Sequence, residues 1–400
     1  MDSLFTGGVI LRRKFLAFAL SLVILCALVF ELYPRSSQKI DLSTGAGISK
    51  MLRYENAQVY LFGETHRCTE YQQFRNALLQ YLVKEKGVRV LVEESGYATA
   101  FLENETVQGR LSFSDWLDRC TLSKEDYELY SWIADWNSGR DAAEKISIIG
   151  IDITDDVGNI QTLCQYLLKN HDFTGADTQT QWLLTAIREQ NPFSSLQLQT
   201  FQEKFLPQLA ELYQTKPKQL ETVLGTQTVY LERALLGWEE AQEQQRLKGE
   251  TEQLGGPDGS YRENCLYEHF MWEYQQRPDA KYYGQFGGAH VLMSDYSGKL
   301  YRVQNSFVTR LAETDTPLNG KLTVIDGCLT FEIGDLGGTG TNRATLYRTA
   351  CAGPPIHKMN KFYMNSSAPD VSYAQYVLLF EHPDALTAAK EYTGSYWKYH

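Results

Sequence analysis

Four short segments concentrate the side chains able to move protons: Gly63-Glu64-Thr65-His66, Glu93-Glu94, Gly150-Ile151-Asp152 and Gly288-Ala289-His290. An imidazole titrates near neutrality, so it can take a proton from water and return it at physiological pH. A carboxylate beside it can orient the ring or share its proton. Two histidines with several carboxylates are also a sufficient ligand set for a divalent ion. The HExxH helix pattern of zinc proteases is absent. Hydrolysis by histidine-activated water and metal-dependent chemistry are therefore both open to these residues.

Each segment closes an apolar run, at residues 59–62, 88–92, 146–151 and 282–286. Such runs read as buried strands. Between the first two, Tyr71, Phe74, Leu78, Tyr81 and Leu82 recur at helical spacing until Gly87. Strand, helix and strand with short connections predict a parallel α/β sheet. Ligands bind outside the carboxyl ends of such strands. Glu64, His66, Glu94, Asp152 and His290 should then converge on one rim. Polar residues also end strands merely because strand ends reach solvent, but four such ends together argue for a site.

The rest of the chain supports an α/β class: a mostly parallel sheet flanked by helices, with a helical insert at about 180–275 and a β-rich end at about 320–400. In the insert, Trp182, Leu183, Ile187, Leu209, Leu212 and Tyr213 should face inward. Residues 255–259 read as a loop and 261–274 as a helix. Residues 322–325 and 328–333 flank Asp326-Gly327, a two-residue hairpin signal. A glycine-rich loop at 334–341 and a strand at 376–380 follow.

The four segments, together with Asp135-Trp136-Asn137 and Arg262-Glu263, stand in an order that resembles the erythromycin esterase-like family. The resemblance covers roughly residues 55–300. It implies a hydrolase in which His66 is the general base, Glu64 polarises or positions water, and Glu94 orients His66 or shares its proton. His290 would stabilise the oxyanion or protonate the leaving alkoxide, with Asp152 and Arg262 as orienters. Glu93 and Glu94 compete for one family position, and the spacing to Gly96 and Ala100 favours Glu94. Glu93, Arg67, Trp136, Asn137 and Arg262 are candidates for contact with substrate. Trp132, Trp136 and Tyr130 could line a cleft near the rim or pack in the core.

Many relatives carry glycine after the histidine, where this chain has Arg67 and then Cys68. Arg67 would narrow the site or bind an anionic group, which weighs against a macrolide substrate. Cys68 is either a nucleophile or a packed thiol. Similar strand ends occur in Tiki-type metalloproteases and bacterial haem-uptake proteins. A divalent-metal-dependent peptidase and a non-catalytic haem or ligand binder are therefore the alternatives; the hydrolase reading needs no cofactor.

At the amino terminus, Arg12, Arg13 and Lys14 precede a charge-free run from Phe15 to Phe30. Residues 1–38 read as a cytoplasmic tip, signal anchor and stalk, or as a cleaved signal peptide, and residues 39–400 as the α/β domain. The basic cluster places that domain outside the cytoplasm, anchored to the membrane. Thirty-eight Lys and Arg against 49 Asp and Glu give a net charge of −11, which argues against nucleic acid as a partner. The expected partner is a small-molecule or peptide substrate. Cys68, Cys120, Cys164, Cys265, Cys328 and Cys351 lie beyond the apolar run and permit either disulfides or free thiols. His171, His269, His357, His382 and His400 lack a matched partner, and His269 should lie on a helix surface.

Overall fold

The computed structural model describes residues 37–117, 120–153, 157–191, 194–248, 257–297, 302–303, 305–327, 343–348, 373–380 and 391–393. Its centre is an eight-stranded sheet. The strands are β1 (Ser37–Asp41), β2 (Val59–Glu64), β3 (Val90–Gly96), β4 (Ser147–Asp152), β5 (Tyr282–Gly287), β6 (Leu322–Asp326), β7 (Arg343–Arg348) and β8 (Tyr376–Phe380). Their order is β1-β7-β8-β6-β2-β5-β3-β4. Among the described strands of this sheet, seven run in one direction and β7 alone runs in the other.

Helices α1 (Ile48–Leu52), α2 (Thr69–Tyr81), α3 (Tyr97–Val107) and α4 (Lys124–Asn137) fall between the first four strands. Among the described residues, seven more separate β4 from β5: α5 (Val157–Leu168), α6 (Thr178–Arg188), α7 (Ser195–Thr200), α8 (Leu206–Thr215), α9 (Pro217–Leu224), α10 (Thr228–Lys248) and α11 (Pro257–Gln276). The short α12 (Phe307–Leu311) follows β5.

Every residue of β2 is buried, because helices cover both faces of the sheet. Tyr60, Phe62, Leu91, Ile148 and Tyr283 pack in one core with Phe74 and Leu78 of α2. Their strand neighbours Val59, Leu61, Val90, Val92 and Tyr282 pack in the other, against Leu266 and Phe270 of α11 and Phe307 of α12. Alternate residues of a strand point to opposite faces, so two covered faces leave no polar alternation to read. A π-helical turn at Leu82–Lys86 ends the helix begun by α2, and Gly87 closes it with φ of 76°, a left-handed conformation that suits glycine.

Several expectations change. Residues 322–326 are not a hairpin arm: β6 lies parallel between β2 and β8. The side chain of Gln375 covers the rest of its edge, accepting from Val324 N at 2.7 Å and donating to Leu322 O at 3.3 Å. Residues 328–333, the expected second arm, and the glycine-rich loop lie outside the described residues. Strands β6, β7 and β8 belong to the same sheet as the site strands, so the β-rich end continues the core rather than appending to it. Helix α11 begins at Pro257, inside the expected 255–259 loop; proline is favoured in a first helical turn, where its missing N–H costs nothing. Trp182 is 51% exposed, whereas Leu183, Ile187 and Leu209 are buried as their spacing requires.

Cys68, Cys120, Cys164 and Cys265 are free thiols. Among the described residues, no helix is long and apolar enough to cross a membrane. The apolar run at 15–30, Cys328, Cys351, His357, His382 and His400 lie outside the described residues.

Candidate active site

Strands β6, β2, β5, β3 and β4 are consecutive in the sheet and parallel. Their carboxyl ends carry Asp326, Glu64, Gly287, Glu94 and Asp152. His66 follows β2, and His290 lies in a 3-10 turn, Gly288–His290, directly after β5. The rim inferred from strand direction is therefore formed by five adjacent strand ends.

His66 lies on the exposed side of the rim, its side chain 59% accessible. Its Nδ1 is 3.1 Å from Glu64 Oε1, and its Nε2 is 3.6 Å from Glu94 Oε2. The first is a hydrogen bond; the second is an ion-pair distance that leaves Nε2 without a close bond to that carboxylate. The hydrogen bond to Glu64 raises the His66 pKa, burial opposes it, and the Glu94 carboxylate adds to the rise. Gly287 lies against the ring: a Cβ there would approach Nε2 to 2.8 Å. Arg67, the next residue, has φ of 62°. A non-glycine residue in that region is uncommon and strained, and such strain gathers at functional sites.

Behind His66 the polar groups are buried and mutually committed. Glu94 Oε2 accepts the N–H of Gly287 at 2.6 Å, and Oε1 accepts Arg262 Nη2 at 2.9 Å. His290 Nε2 lies 3.3 Å from Glu94 Oε1, and its Nδ1 is hydrogen-bonded to Glu263 Oε1. Glu263 Oε2 in turn accepts the N–H of Phe307 at 2.7 Å, at the start of α12. Arg262 forks onto Asp152, with Nε to Oδ1 at 2.9 Å and Nη2 to Oδ2 at 2.6 Å. This two-bond geometry is the strong, directional form of an ion pair.

Burial works against charge on His290, Glu94 and Arg262, and proximity to opposite charge outweighs it. The Glu263 and Glu94 carboxylates push the His290 pKa up to about 10. His290, His66 and Arg262 hold the Glu94 carboxyl below the usual range despite its burial. An imidazolium has no lone pair, so the 3.3 Å approach of Arg262 Nη1 to His290 Nε2 is a contact between two cations, tolerated because Glu94 lies against both.

The alternation of β3 separates the two adjacent glutamates. Its register against β4 shifts between Glu93 and Gly96, a bulge that turns Glu94 to the rim. Gly150 makes the bulge possible, since a Cβ there would come within 2.5 Å of Ser95 O. Glu93 instead points to the helix side, where Tyr130 Oη lies 3.1 Å from Glu93 Oε1 and 3.0 Å from Glu103 Oε1. It is not placed to touch substrate.

Trp136 and Asn137 are corrected in the same way. Trp136 donates from Nε1 to Glu144 O at 3.0 Å. Asn137 bonds the backbone of Ile146 twice and that of Val107 once. Both sit before the start of β4, at the end of the sheet opposite the rim, and tie α4 down. Trp132 packs against Trp136 in a tilted pair, ring centroids 5.8 Å apart. Burial, followed by Glu70 and Glu64, raises the Cys68 pKa, which keeps it a thiol and disfavours the nucleophile reading. His269 is buried rather than superficial: Nδ1 lies 2.9 Å from Ile151 O and Nε2 2.9 Å from Glu240 Oε2. His171 lies 3.0 Å from Gln227 Oε1.

Two rim residues escaped the sequence reading. Glu263 had only its place beside Arg262 to recommend it, and Asp326 looked like a turn residue. Pairing of Asp326 with Gly63 across β6 and β2 was not readable from local sequence.

A divalent ion does not fit this arrangement. Among the described residues, no group of three or more His, Cys, Asp and Glu is disposed to hold one. The two oxygens of Glu94 are occupied by Arg262 and Gly287 N–H, and a guanidinium stands where a second positive charge would have to enter.

No family model matches the chain, and no curated protein matches its sequence. Solved structures do match its fold. A succinoglycan biosynthesis protein has a TM-score of 0.58 at 15% identity, over 87% of this chain and 94% of that one. A mutant of the erythromycin esterase EreC in its open conformation has a TM-score of 0.56 at 14% identity, over 89% and 99%. A Bacillus cereus protein has a TM-score of 0.53 at 15% identity, over 86% and 94%. At such identities the likeness concerns the fold, and the chain has an erythromycin esterase-like fold.

Proposed function

We propose that this chain is a metal-independent hydrolase in which water activated by His66 attacks an ester, lactone or related acyl bond. The observation that carries this reading is the setting of His66: an exposed imidazole with Nδ1 on the Glu64 carboxylate and Nε2 facing Glu94 at 3.6 Å, beyond hydrogen-bond reach. With Nδ1–H donated to Glu64, Nε2 keeps its lone pair and can accept a proton from water. Glu64 then stabilises the imidazolium that forms, the part a carboxylate plays beside a catalytic histidine. The role first read for Glu94 thus passes to Glu64.

Glu94 borders the space at Nε2, where its charge positions water and favours the protonated ring. His290 is only 6% exposed and its two nitrogens face Glu263 and Glu94. It therefore acts through Glu94, as a positioning residue, and Arg262 with Asp152 does the same. Arg67 stands at the mouth as the candidate contact for an anionic substrate group. The domain would work outside the cytoplasm, held to the membrane by the apolar run at 15–30.

The test is turnover of an ester and lactone panel by purified protein and by His66→Ala. General-base catalysis contributes about 10²–10⁴-fold, so the variant should lose at least the lower figure. Unchanged turnover would show that His66 is not the base.

A further inference from the structure

The end of the sheet opposite the rim has the reverse electrostatic character. A cavity of about 830 Å³ opens there, lined by Lys86, Arg89, Arg110, Lys145, Arg277 and Lys281, with Asp279 as its acid. The chain as a whole carries −11, so this local excess of cations runs against the global balance. Arg110 and Arg277 are neutralised by Glu105 and Glu273. Lys86, Arg89 and Lys281 hydrogen-bond uncharged oxygens, with the carboxylates of Glu55 and Glu85 also acting on Lys86. Lys86 Nζ donates to the carbonyls of Arg53 and Glu55 at 2.8 and 2.7 Å. Arg89 Nη1 donates to those of Val83 and Val88 at 2.9 and 2.7 Å. Lys281 Nζ donates to Asn56 Oδ1 at 2.8 Å. Glu144, which also acts on Arg89, lies 4.0 Å from Arg140.

Carbonyl and amide oxygens orient these cations without cancelling their charge. Burial, and then the neighbouring Lys281, lower the Lys86 pKa: like charges are being held together, at a cost an anion would relieve. A second cavity, of about 230 Å³, adjoins the first and shares Arg110, Ser147, Gln276 and Arg277 with it. It is lined by the aromatic side chains of Tyr97, Phe101, Tyr230 and Trp272 and by Glu105 and Glu273, the acids paired with Arg110 and Arg277, with the rings of Phe101 and Tyr230 5.0 Å apart.

We infer that this cleft binds a phosphate ester, its phosphate among Lys86, Arg89, Lys145 and Lys281 and its organic part against Phe101, Tyr230 and Trp272. Several converging cations suit a multiply charged oxyanion better than a single carboxylate. The aromatic arm gives the attached group a surface to pack on. Soluble phosphomonoesters and the headgroup of phosphatidic acid share this chemistry. The site is independent of His66 and of the hydrolase reading.

Isothermal titration of the full chain, held in nonionic detergent, uses phenyl phosphate and short-chain phosphatidic acid as probes. Saturable binding is expected for at least one of them. Tighter binding of phenyl phosphate identifies a soluble ester, and tighter binding of the lipid identifies a headgroup. Each lost charge-assisted bond weakens binding by about tenfold, so Lys145→Ala with Lys281→Ala should show at least that loss. The corresponding Lys→Arg pair should retain binding, which separates charge from folding. No saturable binding of either probe, or binding undiminished in the alanine pair, overturns the inference.

Discussion

The Nδ1 atom of His66 lies 3.1 Å from Oε1 of Glu64, two residues earlier in the chain. The pair straddles the end of β2, so the strand that brings the base to the rim also brings the carboxylate that holds it. This hydrogen bond is the largest influence raising the His66 pKa above its ordinary 6.5. A general base works unprotonated, so activity should rise with pH and its acidic limb should lie above 6.5. In Glu64→Gln the limb should move down toward 6.5, with kcat/KM lowered about 100-fold. A pH profile of kcat/KM for both proteins checks this; an unmoved limb would assign the shift elsewhere.

Gly287 offers a test of geometry without loss of charge. Its φ of −52° and ψ of 138° are open to alanine, so Gly287→Ala adds no backbone strain. Its Cβ would nonetheless stand 2.8 Å from His66 Nε2 and push the ring aside. Displacement of a catalytic group by about 1 Å can cost about 100-fold in rate. Turnover should fall by that order while the thermal midpoint moves little. A large drop in stability with normal specific activity of the folded fraction would contradict the geometry.

Glu263 should matter most for stability. It holds a buried, charged His290, and removing one partner of a buried pair costs about 3–5 kcal/mol. Glu263→Gln should lose stability in that range in urea unfolding at neutral pH. The pH dependence has a definite sign. The folded His290 pKa is about 10 against an ordinary 6.5. Its stabilising contribution is complete below 6.5 and is lost as pH rises toward 10. Stability measured across that window should fall more steeply in the parent protein than in His290→Asn.

Tyr130 has one proton to donate, yet its oxygen lies within bonding distance of both Glu93 and Glu103. The two carboxyls also hydrogen-bond each other, so a proton held on one of them satisfies the cluster. Burial is the first cause holding both carboxyl pKa values up. Glu103→Gln supplies the donor permanently and should change stability by no more than about 1 kcal/mol, the scale of one neutral hydrogen bond. Ester turnover should stay at the parent level. A loss of activity would return Glu93 and its partners to the site.

The candidate site was legible wherever chemistry and strand direction coincide. Glu64, His66, Glu94, Asp152 and His290 each end or follow an apolar run, and parallel strands carry such ends to one edge whatever their order. Trp136 and Asn137 were misread because a helix continues past the element it packs on: α4 begins at Lys124 and delivers its last residues to the far end of the sheet. Local sequence cannot say to which end a helix returns. The turn at Asp326-Gly327 was misread because a turn signal does not reveal that both edges of the preceding strand are taken by distant segments.

From the chain alone, then, came the strand ends, the titrating groups they carry and the helix that follows β2, since apolar runs and residue chemistry are local properties. The tertiary structure decided what depends on contact: that Glu64 rather than Glu94 bonds His66, that His290 is buried behind Glu94, and that Glu93 belongs to the helix side. A hydrogen bond is set within tenths of an ångström, by side chains that meet only after the sheet has formed.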